Sequence, residues 1–214
     1  MATTIRGIRR LALALFLQAL ATSTRPAAGD GLPFDWQTLV AETRGGSPVD
    51  TARRINRHVN HLKHVSDMAN WQQEDFWATP MELFLRGAGD CEDFAIAKYF
   101  LLRAQGVRDE RLQLLVARLH NTETQRIEPH MVLLHRLPGE SQARVLDNIR
   151  NDMLPLSDRR DLLPVAAFDQ WHVWAYDDGR DHARSVSGHN RWSALLERWH
   201  WQKARWLVAE KNPP

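Results

Sequence analysis

The sequence predicts an α+β fold: helices first, then an antiparallel sheet, then one closing helix. Three observations carry this. Before Gly106 the apolar residues follow helical spacing. After it come short runs of branched apolar residues with a hairpin signal between them. Residues 191–210 return to a one-sided apolar helix.

The chain begins with something else. Arg6, Arg9 and Arg10 precede an apolar stretch, Leu11 to Ala21, and Ala19-Leu20-Ala21 matches an A-x-A cleavage site. Residues 1–21 therefore read as a signal peptide, 22–31 as a disordered leader, and 32–210 as a single domain. The apolar stretch is too short to span a bilayer, and no cysteine follows it to carry a lipid. The 214 residues carry 28 basic and 26 acidic side chains, a net charge of +2. Loss of the first 21 residues removes three arginines and no acid and leaves −1. The composition thus gives no reason to expect a nucleic-acid partner, and no stable membrane insertion is expected once the signal is removed.

Within the domain, a helix is predicted from Pro48 or Val49 to about Lys63, with Ala52, Ile55, Val59 and Leu62 on one face. Thr79-Pro80 opens a short helix, Thr79 as N-cap and Pro80 at the first helical position, ending at Gly87. Asp90 opens a longer one that runs to about Gln105, with Gly106 closing it. Strands are predicted over 112–119, 130–137, 143–149 and 168–176, with Pro138-Gly139 as a hairpin turn. Residues 191–210 form the closing helix, with Trp192, Leu195, Leu196, Trp199, Trp206 and Leu207 on one face. That face is expected to pack on the domain and to leave Trp201 outside; a docking surface is the alternative.

Cys91 is the single cysteine, which excludes an intrachain disulfide, a zinc ribbon and a CxxC redox site. It lies in the first turn of the Asp90 helix, after two glycines. Open N–H groups and the macrodipole favour a thiolate there. Asp90 and Asp93 have the spacing of an N-cap and its capping-box acid, which leaves Glu92 pointing elsewhere. Three carboxylates so close to sulfur would oppose ionisation unless screened. A hard divalent cation held by Asp90 and Glu92 would screen them, and calcium suits an exported protein. Three solvated acids at a helix N-terminus are the plain alternative.

A nucleophilic cysteine needs a base and an orienter. His130 begins an apolar strand and Asp147 ends one. A two-residue turn at Pro138-Gly139 sets them directly opposite. Moving the turn centre by one residue makes them diagonal neighbours on one face, and an odd-length loop would part them. His58, His61 and His64 wrap too far round their helix to share one metal.

These segments resemble a family. Asp75-Phe76-Trp77-Ala78-Thr79-Pro80-Met81-Glu82, Gly87-Ala88-Gly89-Asp90-Cys91-Glu92-Asp93-Phe94, His130-Met131-Val132 and Leu146-Asp147-Asn148 look like the bacterial transglutaminase-like cysteine proteinases. The resemblance covers residues 34–176. It implies a papain/transglutaminase-like fold, with the nucleophile helix packed on the sheet, and a periplasmic endopeptidase using Cys91, His130 and Asp147. It implies calcium at Asp90 and Glu92. It also implies cleavage of the N-terminal region of a large surface adhesin, often at a paired-alanine site, which disperses biofilm. The implied inhibitor is the periplasmic domain of an inner-membrane cyclic-di-GMP receptor. The backbone N–H of Cys91 is a candidate oxyanion donor. Trp77 could be a second, but core packing is the preferred reading for it. Two rivals remain: a transglutaminase or cell-wall amidase with the same three residues, and a catalytically silent periplasmic binding module.

Overall fold

A computed structural model describes residues 35–122, 124–170, 172–177, 180–184 and 190–211. The signal peptide and leader lie outside these residues. Helix α1 (Trp36–Glu42), capped by Asp35, has no counterpart in the sequence reading. Helix α2 (Pro48–Val59) is the predicted one. Ser47 accepts from the Asp50 N–H, Pro48 occupies N1, and Ala52, Ile55 and Val59 are buried. It stops four residues before Lys63. The chain turns at Asn60, and Lys63–His64 (β1) pairs in parallel with Ala88–Gly89 (β2). A five-residue helix, α3 (Asp67–Trp71), intervenes.

Helix α4 (Pro80–Arg86) is built as predicted. The Glu82 N–H donates to Thr79 Oγ1 at 3.2 Å, and the Thr79 N–H donates to Glu82 Oε2 at 2.8 Å, a complete capping box. Gly87 ends it at φ +69°. Gly89 serves a different need. A Cβ there would lie 2.5 Å from the Asp93 carboxylate and 2.6 Å from Leu83. Helix α5 (Cys91–Ala104) follows at once and buries Phe94, Ile96, Leu101 and Leu102. Each such side chain contributes roughly 1.5–3 kcal/mol on burial, so α5 is firmly seated.

The sheet has six strands, β3 (Leu112–Asn121), β4 (Arg126–His135), β5 (Arg144–Leu146), β6 (Leu162–Phe168), β7 (Val173–Asp177) and β8 (Arg180–Arg184). All pairings are antiparallel, in the order β5-β4-β3-β6-β7-β8. Helix α5 packs on β4 and β3 around one core, and a second, smaller core lies among β3, β4, β5 and β6. Three strand predictions need correction. β4 begins four residues before His130. The predicted strand 143–149 shrinks to three residues. The predicted strand 168–176 is two: β6 ends at Phe168, and Asp169 makes the turn, its carboxylate accepting from the His172 N–H at 2.7 Å. Pro164 masks β6 in the sequence, because proline cannot donate to a ladder. A register shift of the β3–β6 pair beside it accommodates the ring.

Helix α6 (Asn190–Lys211) closes the fold. Trp192, Leu195 and Trp199 are buried, and Trp201 stays exposed. The side chains of Trp206 and Leu207 lie outside the description. Gln202 bonds Thr79 at 2.6 Å and Glu82 at 2.9 Å, which ties α6 to α4. Among the described residues no helix is long and apolar enough to cross a membrane.

Candidate active site

Cys91 opens α5 as its first residue and is partly buried. Its sulfur takes a hydrogen bond from the backbone N–H of Met131, the residue after His130. The fold thus brings the cysteine helix against the start of the histidine segment.

His130 and Asp147 meet directly. The β4–β5 register pairs Leu133 with Leu146 and Leu134 with Val145, which makes the two residues diagonal neighbours. His130 Nε2 lies 2.9 Å from Asp147 Oδ1, and both side chains are buried. Two elements hold the Asp147 segment. On α2, Asn60 donates to the Asp147 carbonyl at 2.8 Å and Asn56 to the Arg150 carbonyl at 3.1 Å. Behind the carboxylate, Arg159 Nη2 lies 2.8 Å from Asp147 Oδ2. The same guanidinium bonds Asp161 at 2.8 and 2.7 Å. Burial by itself would raise the Asp147 pKa, but the His130 bond and the positive charge of Arg159 outweigh it and hold it at about 2. An ionised carboxylate only accepts, so Nε2 carries the proton and Nδ1 of the neutral ring is left as a base.

Sequence reasoning missed Asn56, Asn60, Arg159 and Lys98. Lys98 lies two helical turns beyond Cys91 on α5. It is fully buried, and its Nζ has no hydrogen-bond partner. Burial pushes its pKa down to about 7, against an opposing pull from Asp147.

The acids around Cys91 depart from expectation. Asp90 makes no side-chain cap bond. Asp93 is buried and accepts from the Ala78 N–H at 2.6 Å, so it supports the segment before α4 and forms no capping box. Glu92 does not point elsewhere: its Oε2 lies 3.2 Å from the Cys91 sulfur, whose S–H donates to it. Burial first, and Glu92 second, push the thiol pKa up, against the lowering expected from the helix N-terminus. The macrodipole is outweighed because burial strips water from the thiolate, and the Glu92 carboxylate 3.2 Å away opposes the charge further.

Asp67, Asp90 and Glu92 bring carboxylate oxygens within 4.8 Å of one another. Asp67 is new to the set. It opens α3, and the β1–β2 pairing, with Asn70 donating to the Ala88 carbonyl at 2.9 Å, places it beside Asp90. Burial and the mutual repulsion of neighbouring carboxylates raise the pKa values of Asp67 and Asp90. One buried oxygen on each, Oδ1, has no hydrogen-bond partner. Unpaired buried oxygens, all hard donors, fit an oxygen-seeking divalent cation.

Trp77 is buried in the core. Its indole N–H donates to Asp75 at 3.0 Å, and its ring stacks on Phe168 at 5.7 Å. That is the preferred packing role.

A helix-borne cysteine against a strand-borne histidine, itself held by a carboxylate, defines the class of thiol hydrolases and acyltransferases. The family model described as bacterial transglutaminase-like cysteine proteinase matches residues 40–161. The chain belongs to that family. Among solved structures, Legionella pneumophila LapG in a calcium-bound form is 30% identical, with a TM-score of 0.64, covering 77% of this chain and 87% of that one. The EGTA-treated form of LapG is 29% identical at the same TM-score, covering 76% and 85%. A search of curated proteins finds no match.

Proposed function

We propose that this chain is a periplasmic, calcium-dependent cysteine endopeptidase that cuts the N-terminal region of a large surface adhesin and so promotes biofilm dispersal. Family membership and the likeness to LapG support the proteinase class. The observation that carries the reading is the His130–Asp147 bond beside the residue that touches the Cys91 sulfur.

The chemistry follows from the residues. His130 Nδ1 takes the thiol proton, and sulfur attacks the peptide carbonyl. His130 returns the proton to the leaving amine. Water, deprotonated by His130, then attacks the thioester, freeing the acid and restoring the thiol. Asp147 keeps the ring in one tautomer throughout. The backbone N–H of Cys91, at the helix opening, is placed to stabilise the oxyanion. Asp67, Asp90 and Glu92 would hold calcium, whose charge would offset the carboxylates that resist thiolate formation. Export through residues 1–21 would deliver the enzyme to the periplasm. There the periplasmic domain of a cyclic-di-GMP receptor would sequester it.

The test is digestion of N-terminal fragments of exported adhesins by the secreted chain, read by mass spectrometry. A defined cut that is lost in Cys91→Ala and on chelation is the expected result. Amine incorporation into glutamine, or muropeptide release, with the adhesin fragments left whole would overturn it.

A further inference from the structure

We propose that Arg159, clamped by Asp161, is a positioning residue that fixes the Asp147 carboxylate for His130. The inference rests on the proteinase reading above and deepens it.

The argument starts from cost. A buried carboxylate is expensive unless it is paired and hydrogen-bonded. Asp147 is buried, and its two oxygens are divided. Oδ1 takes His130 Nε2 at 2.9 Å and the Ile149 N–H at 3.2 Å, while Oδ2 faces Arg159 Nη2 at 2.8 Å. Oδ2 has no hydrogen bond, so without Arg159 this buried oxygen would lose its ion-pair partner. The charged groups facing Asp147 are His130 from β4, Arg159 from the loop before β6, and Lys98 from α5. Of the two basic side chains, only Arg159 ion-pairs with Asp147, and Lys98 Nζ has no hydrogen-bond partner.

Arg159 is itself held. Its Nε and Nη2 grip both oxygens of Asp161 in a fork, a geometry lysine cannot copy. The Asp161 carbonyl accepts from the His120 N–H at 2.8 Å, which anchors the clamp to the end of β3. The path therefore runs from the sheet backbone through Asp161 and Arg159 to Asp147 and the imidazole. Arg159 is buried behind Asp147, so its loss should act on turnover and leave substrate affinity alone. A small misplacement of a catalytic group costs up to about 100-fold in rate.

The experiment compares the secreted chain with Arg159→Met, Arg159→Lys, Asp161→Asn and Cys91→Ala. A fluorogenic peptide gives kcat and KM against pH. Histidine-selective ¹⁵N NMR follows the His130 Nε2–H proton, which needs no substrate. In Arg159→Met, kcat is expected to fall about 10- to 100-fold with KM nearly unchanged. The acid limb of the profile moves to higher pH, as Asp147 becomes easier to protonate, and the Nε2–H signal broadens by exchange. Arg159→Lys recovers part of kcat, and Asp161→Asn loses a smaller part. Should Arg159→Met fail to fold, the lysine and Asp161→Asn variants carry the comparison. A purely structural role would lower the melting temperature yet leave kcat per folded molecule, pH profile and Nε2–H signal as in the parent; that overturns the clamp. Peptide hydrolysis that survives in Cys91→Ala would overturn the proteinase reading instead, and the NMR arm would still judge Arg159.

Discussion

The two halves of the site are electrostatically unlike. On the histidine side the carboxylates are paired within the protein: Asp147 bonds His130 and ion-pairs with Arg159, and Asp161 grips the same guanidinium. On the cysteine side Asp67, Asp90, Glu92 and the buried Asp93 crowd together, and among the described residues no salt bridge to a lysine or arginine reaches any of them. One half balances its acids with the protein's own arginine. The other carries negative charge that adds to burial in raising the thiol pKa, and its oxygens would suit a cation from outside. The contrast teaches where regulation can enter: in the half the chain itself leaves unbalanced.

The largest effect should come from breaking the balanced half. Asp147→Asn removes the charge that fixes the tautomer and should cost about 10³- to 10⁴-fold in kcat, by analogy with carboxylate-to-amide changes in serine-protease triads. Steady-state kinetics on a peptide, beside Cys91→Ala as the zero, checks it.

Next comes the unbalanced half. Chelation should inactivate the enzyme and lower its melting temperature by about 5–10 °C, if calcium stood near 100 times its Kd. The drop should be larger at pH 8 than at pH 5.5. Asp67 and Asp90 have raised pKa values when folded, so the metal-free protein binds protons that the unfolded chain does not. Its stability therefore falls as pH rises from about 4 to 7. Asp67→Asn should weaken calcium binding in titration calorimetry, which distinguishes a ligand from a bystander.

Lys98 sharpens the comparison, as a buried base that faces Asp147 without bonding it. Its folded pKa of about 7 lies below that of the unfolded chain. Between pH 7 and about 10.4 the unfolded state holds more protons, so stability rises with pH through that window. Below pH 7 the buried charge exerts its full cost. Lys98→Met should gain about 1–4 kcal/mol in urea unfolding at pH 6, and the gain should shrink at pH 9. The smallest effect belongs to Trp77→Phe. Loss of an oxyanion donor costs about 10²–10³ in kcat, whereas loss of packing alone should keep kcat within about threefold.

Much of this was legible in residue order. Thr79, Pro80 and Gly87 mark the two ends of α4 by local backbone chemistry, and Pro48 with the spacing of Ala52, Ile55 and Val59 marks α2. The His130–Asp147 pairing was legible too, because a hairpin transmits register through hydrogen bonds that count residues. Asp90 and Asp93 misled for a related reason. Their spacing permits a capping box, but Ala78, in another segment, offered Asp93 a backbone N–H in a buried place, and a buried bond outweighs an exposed one.

The sequence by itself determined the α+β order, the cysteine at a helix start, and the histidine and aspartate on one hairpin. Each depends on periodicity, capping or register, which act over a few neighbouring residues. Only the tertiary structure decided which acids surround the sulfur and which cation stands behind Asp147. Arg159 and Arg160 are adjacent and chemically the same, yet Arg159 is buried and Arg160 is exposed. Nothing local separates them. What does is the presence of two carboxylates, Asp147 and Asp161, where one buried guanidinium hydrogen-bonds the second and ion-pairs with the first.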